Sequence, residues 1–169
     1  MTEMFRLRAQ TAGADYIIAA SSVADAQAQL RQIAQQLSAT HRRVATLAFA
    51  GHGAGANGDF LIAVAGSPAH PSRELIDDSN FANLVAPLFE AGDLLDSAVQ
   101  VRLEGCWTEN GPLPRAIDRA FAQQRVSATV SGFAGAAEFT WSPPAPGARR
   151  PRRGPAGTVT VTGTSLNDL

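Results

Sequence analysis

The chain holds a single cysteine, Cys106, and three histidines, His41, His52 and His70. Cys106 closes the run Val99-Gln100-Val101-Arg102-Leu103-Glu104-Gly105-Cys106. His52 follows the apolar run Val44 to Ala50, inside Gly51-His52-Gly53. A thiol is a weak nucleophile until it loses its proton, and a neighbouring histidine can take that proton and deliver it to a leaving amine. The tetrahedral intermediate of such a reaction needs backbone N–H donors aimed at its oxyanion. Gly53 offers an unshielded N–H beside His52, and the Cys106 N–H is a second donor. Gly51 and Gly105 let the chain turn and leave room for a substrate backbone.

For these residues to meet, two strand ends must share one rim. In an open α/β sheet the functional crevice lies at the carboxyl ends of the strands. Val44–Ala50 is apolar nearly throughout, as a strand covered on both faces should be. Val99–Cys106 alternates, with Val99, Val101 and Leu103 on one face. If the two strands are parallel neighbours, about 4.8 Å separates their backbones, and short turns bring imidazole and thiol together.

The flanking segments predict the frame that would hold them. Asp15–Ala20 reads as a strand, and Ser21 or Ser22 as the cap of a helix over Val23–Leu37 with the stripe Ala26, Leu30, Ile33, Leu37. Asp59–Ala65 reads as a short or edge strand, and Gly66–Asn80, with Pro68 and Pro71, as a loop in which Asp77 and Asp78 are loop charges. Ser79 or Asn80 caps a helix carrying Phe81, Leu84, Val85, Leu88 and Phe89, which Gly92 ends. Pro112 and Pro114 open a helix with Ala116, Ile117, Ala120 and Phe121 on one side, and Ser127–Phe133 is a further strand. This alternation predicts one α/β domain over residues 1–169, with a mainly parallel sheet and helices on both faces. Glu138–Trp141 and Thr158–Val161 are expected to pair as a C-terminal hairpin across a Pro- and Arg-rich mobile loop, 142–157.

Composition narrows the function classes. At 169 residues, 45% hydrophobic and 17% charged, the chain suits one folded domain and not a disordered one. A net charge of −1 gives no field to argue for nucleic acid or an anionic membrane. One cysteine excludes an internal disulfide and a zinc site built on several thiolates, and a reducing, cytoplasmic setting is the expectation. No stretch approaches the roughly 18 apolar residues of a membrane helix, and the N-terminus lacks the pattern of a signal peptide. His41 and His70 lie in predicted loops and read as solvated. No metal and no organic cofactor is expected.

An apolar strand followed by His-Gly, and a later apolar strand ending in Cys, resembles the caspase-like cysteine peptidases. That group includes caspases, metacaspases, clostripain- and gingipain-type proteases, separases and bacterial CHAT domains. His52 and Cys106 are 106 − 52 = 54 residues apart, near the roughly 50 found in caspases. The resemblance covers about Asp15 to Gly135 and implies a three-layer sandwich. It also implies His52 as general base and acid, Cys106 as nucleophile and the Gly53 N–H as oxyanion donor, acting on a polypeptide. Gly51, Glu104, Gly105 and Trp107 would border the substrate. Asp59 or Glu104 could orient His52 or select a basic substrate residue, although Glu104, two positions before the nucleophile, is expected to face away. Two departures stand out. Trp107 and Thr108 follow the cysteine where many bacterial relatives have a small residue and a glycine. Glu104-Gly105-Cys106-Trp107-Thr108 stands in place of the caspase Gln-Ala-Cys-Arg-Gly, which gives no support for cleavage after aspartate.

Each half of the dyad has a plain reading when taken alone: a small buried hydrophobe, and a histidine in a turn. Their order, spacing and flanking glycines raise the joint reading to a cysteine endopeptidase. The alternative is a catalytically inactive relative that serves as an interaction or assembly module. Trp107 filling the cleft would favour that alternative. Arg149, Arg150, Arg152 and Arg153 form a basic run that reads first as a solvated loop and second as a contact for a protein partner.

Overall fold

The computed structural model describes residues 2–20, 22–54, 59–62, 74–106, 108, 111–135, 137–142 and 158–163. Four helices, α1 (Thr2–Thr11), α2 (Val23–Ala39), α3 (Phe81–Glu90) and α4 (Leu113–Gln123), combine with eight strands. The strands are β1 (Val44–Ala50), β2 (His52–Ala54), β3 (Asp59–Ile62), β4 (Glu74–Ile76), β5 (Leu95–Glu104), β6 (Ser127–Ser131), β7 (Ala137–Ser142) and β8 (Thr158–Gly163). The chain is a mixed α/β structure whose main sheet has the order β1-β5-β6, parallel throughout.

β5 is the central strand, and its alternation does what the sequence predicts. Val99, Val101 and Leu103 are at most 2% exposed. Leu47 and Phe49 of β1 lie in register with Val101 and Leu103, and Ala128 and Val130 of β6 with Val99 and Val101. These side chains share one cluster with Leu30 and Leu37 of α2, Leu84 and Leu88 of α3, and Ile117 and Phe121 of α4. Two edge-to-face aromatic pairs, Phe49–Phe81 and Phe89–Phe121, tie β1 to α3 and α3 to α4. The other face carries the row Thr46, Gln100, Thr129, and all three are exposed, as are Ala48 and Ala50. α2, α3 and α4 pack on the covered face, and α1 reaches the opposite one through Arg8, which pairs with Glu104, leaving the row Thr46, Gln100, Thr129 open. The run Val44–Ala50 misleads on this point because four of its apolar residues are alanine or smaller than leucine, and exposing Ala48 and Ala50 costs little apolar area.

The helix ends follow from local chemistry. Ser22 caps α2, its Oγ accepting from the Asp25 N–H at 2.9 Å. Gly92 follows α3 at φ +63°, a conformation that suits glycine. Pro112 sits at the N-cap of α4 and Pro114 inside its first turn, where a missing N–H is harmless. Asn80 occupies the cap position of α3 without capping it through its side chain. Asp77 instead shapes the turn that leads into the helix: its Oδ1 accepts from the N–H groups of Ser79 and Asn80 at 2.9 and 3.2 Å. Asp77 is thus a turn-forming residue and not a loose loop charge.

The remaining elements depart from the expectations or extend them. Asp15–Ala20 is not a strand: Tyr16 and Ile17 are each 37% exposed, Ile18 and Ala20 pack against the core, and the Ala19 carbonyl accepts from the Gln29 side chain. A short apolar run becomes a strand only where a sheet edge receives it. The short strand expected from Asp59 is present as β3, which pairs antiparallel with β2 and β4 in a separate sheet. β4 lies in the segment expected to be loop, and buries Ile76. Thr2–Thr11, for which no element is predicted, forms α1. The expected C-terminal hairpin is present, with Trp141 opposite Val159. The Pro- and Arg-rich segment 143–157, with Arg149–Arg153, lies outside the described residues, as do His70 and Trp107. Among the described residues no helix is long and apolar enough to cross a membrane.

Candidate active site

The two strands that lead to His52 and Cys106 are parallel neighbours. Ala50, the last residue of β1, is in register with Glu104, the last of β5. The Gly51 N–H extends the pairing by donating to the Glu104 carbonyl at 3.2 Å. His52 and Cys106 each stand two residues beyond the Ala50–Glu104 rung. Both chains therefore leave the same rim of the sheet side by side, about 4.8 Å apart at the last rung.

They leave it differently. After Gly51, which is buried, the chain enters β2, where His52 lies opposite Leu61 and Gly53 opposite Phe60. β2 is an outer strand of its small sheet. After Glu104 the chain bends at Gly105, also buried, and turns at Cys106, which is partly exposed. The structure thus brings Gly51, His52, Gly53, Glu104, Gly105 and Cys106 to one end of the main sheet by their backbones. Trp107 falls outside the described residues, and Asp59 lies one strand away, opposite Ala54.

Glu104 is buried, at 6% exposure, and both of its carboxylate oxygens are engaged. Arg102 reaches Oε1 at 2.8 Å, and the Arg8 Nε lies 3.3 Å from Oε2. The Arg8 Nη2 donates to Oε1 at 3.4 Å. Two guanidinium groups compensate one carboxylate, which is how a charge is kept in a partly dry site. A carboxylate held in this way is satisfied within the chain and does not need a substrate cation.

Sequence reasoning missed three residues here. Arg102 carried a signal, because it stands two positions before Glu104 and shares its face of the strand. Arg8, 96 residues away, carried none. Nor did Thr108, which is fully buried and hydrogen-bonded at the end of β5. Among the described residues, no group of three or more His, Cys, Asp or Glu side chains converges to hold a metal ion. No family model, curated protein or solved structure matches the chain.

Proposed function

We propose that the chain is a cysteine endopeptidase of caspase-like type in which His52 and Cys106 form the catalytic dyad. The observation that carries this reading is the Ala50–Glu104 register, with both residues equally far beyond it on adjacent parallel strands. In the proposed reaction His52 takes the thiol proton, and the Cys106 Sγ attacks the scissile carbonyl carbon. A C–S bond forms, and the oxyanion is held by the Gly53 N–H and the Cys106 N–H. The intermediate collapses with cleavage of the C–N bond, and the His52 proton goes to the leaving amine. Water, deprotonated by the same imidazole, then adds to the thioester carbonyl carbon, the C–S bond breaks, the acid product leaves and the His52 proton returns to the Cys106 Sγ. Gly51 and Gly105, both small, admit the substrate backbone. Glu104 supports the rim through its arginines.

The reading includes a caspase-like core built on the β1-β5-β6 sheet and a reducing, cytoplasmic setting suited to a chain with one cysteine. A protein partner contacting Arg149–Arg153 is part of it.

The test is alkylation of Cys106 by iodoacetamide at neutral pH, compared with His52→Ala, together with hydrolysis of a mixed fluorogenic peptide library. Removing a positioned general base costs about 10²-fold or more, so both rates should fall steeply in His52→Ala, and hydrolysis should vanish in Cys106→Ala. Equal alkylation of both proteins and no Cys106-dependent hydrolysis would sink the peptidase reading.

A second reading is favoured by one observation, the open face of the main sheet at Thr46, Gln100 and Thr129. In it the same fold is a non-catalytic assembly module, and the alkylation comparison separates the two.

A further inference from the structure

Thr108 is fully buried, and its hydroxyl meets three backbone groups. Oγ1 faces the carbonyl oxygens of Leu103 and Gly105, each at 3.1 Å, and accepts from the Phe133 N–H at 3.0 Å. One hydroxyl proton is shared between the two carbonyls. Leu103 is the penultimate residue of β5, and Phe133 lies two residues past the end of β6. The last rung between these strands is Arg102–Ser131. The hydroxyl therefore bridges β5 to the chain leaving β6 at the point where their ladder stops. The same oxygen ties the chain just past Cys106 back to Gly105, just before it. On the opposite side of β5, backbone pairing to β1 continues through the Gly51 N–H.

We infer that Thr108 is the positioning residue for the Cys106 thiol. Backbone bonds join the end of β5 to β1, one hydroxyl joins it to the chain after β6, and the turn bearing Cys106 is held between those two attachments. The catalytic consequence rests on the dyad reading above, whereas the hold on the turn does not. Valine has the same shape but no hydroxyl. It would leave the Phe133 N–H and two carbonyls unpaired in a dry site, and the turn would open to find water. Serine keeps the hydroxyl.

The test is the pH–rate profile for iodoacetamide alkylation of Cys106, from about pH 6 to about pH 10, a span that brackets ordinary thiol ionisation. Because Cys106 is the sole cysteine, the label is unambiguous. Wild type, Thr108→Val, Thr108→Ser and His52→Ala are compared at a temperature where each is folded. The neutral-pH rate of Thr108→Val should fall about tenfold, toward that of His52→Ala, since small misplacements cost at least that much. Thr108→Ser should stay within about twofold of wild type, a rescue that a purely volumetric role would not produce. If Thr108→Val does not fold, Thr108→Ala is read in its place, since it removes the hydroxyl without setting a methyl group against the Phe133 N–H and the two carbonyls. A profile for Val or Ala superimposable on wild type overturns the inference. Two mixed outcomes keep the claims apart. A rate that changes in Thr108→Val but not in His52→Ala removes the dyad and leaves the positioning role. The converse removes the positioning role and leaves the dyad.

Discussion

The Arg8 Nε lies 3.3 Å from the Glu104 Oε2, joining the first helix to the last residue of the central strand. Arg102 holds the other carboxylate oxygen at 2.8 Å. The Arg8 and Arg102 side chains are 19% and 40% exposed, and that of Glu104 is 8% exposed. Glu104→Gln keeps the shape of the side chain and strands two guanidinium groups beside a neutral amide. The expected loss is about 2 kcal/mol, below the full cost of breaking a buried pair because both arginines retain some water. Arg8→Met should cost less, since Arg102 remains on Glu104. The double variant should be less destabilised than the sum of the singles, which urea unfolding of all four proteins will measure.

A second relationship lies between α2 and α3. Pro87 stands inside α3 and has no N–H to offer the Asn83 carbonyl four residues earlier. The Gln27 side chain donates to that carbonyl instead. Gln27→Ala should therefore cost about 0.5–1 kcal/mol in the natural background. In a Pro87→Ala background, where the helix supplies its own donor, the same substitution should cost only a few tenths. Equal costs in both backgrounds, measured by thermal melts, would separate the glutamine from the proline.

Two helices end on non-glycine residues in the left-handed region. His41 follows α2 at φ 54°, and Arg125 follows α4 at φ 60°. In each case the next N–H reaches back to the helix, Arg42 to Leu37 at 3.0 Å and Val126 to Phe121 at 3.1 Å, which is the pattern that glycine ordinarily completes. His41→Gly and Arg125→Gly should each stabilise by about 0.5–1 kcal/mol, the relief of side-chain strain exceeding the added freedom of the unfolded chain. The readout is a rise in Tm of a few degrees, at about 2–4 °C per kcal/mol for a chain of this size.

The exposed row of the main sheet has its own test. Thr46→Glu and Gln100→Glu, on the open face, should change stability by no more than about 0.5 kcal/mol. Val101→Glu, on the covered face at 0% exposure, should abolish cooperative unfolding, because it buries an unpaired charge. Strong destabilisation by either open-face variant, measured by the same melts, would mean that this face is covered in solution.

What the sequence determined by itself is local. The stripe of α2, the apolar side of α4, the alternation of β5 and the pairing of β7 with β8 are periodicities of 3.6 and 2, which the order of residues carries directly. The glycines around His52 and Cys106, and the placement of both residues after apolar runs, are legible in the same way. Only the tertiary structure decided which strands became neighbours. Asp59–Ile62 went to a separate antiparallel sheet, and Tyr16–Ala20 went to none, because a strand's partner is chosen by the edges that the rest of the chain leaves open. The Ala50–Glu104 rung, the Arg8–Glu104 pair and the Thr108 bridge to Phe133 join residues 54, 96 and 25 positions apart. No local pattern encodes such contacts, since each arises only when elements distant in sequence pack against the sheet and bring its ends into place.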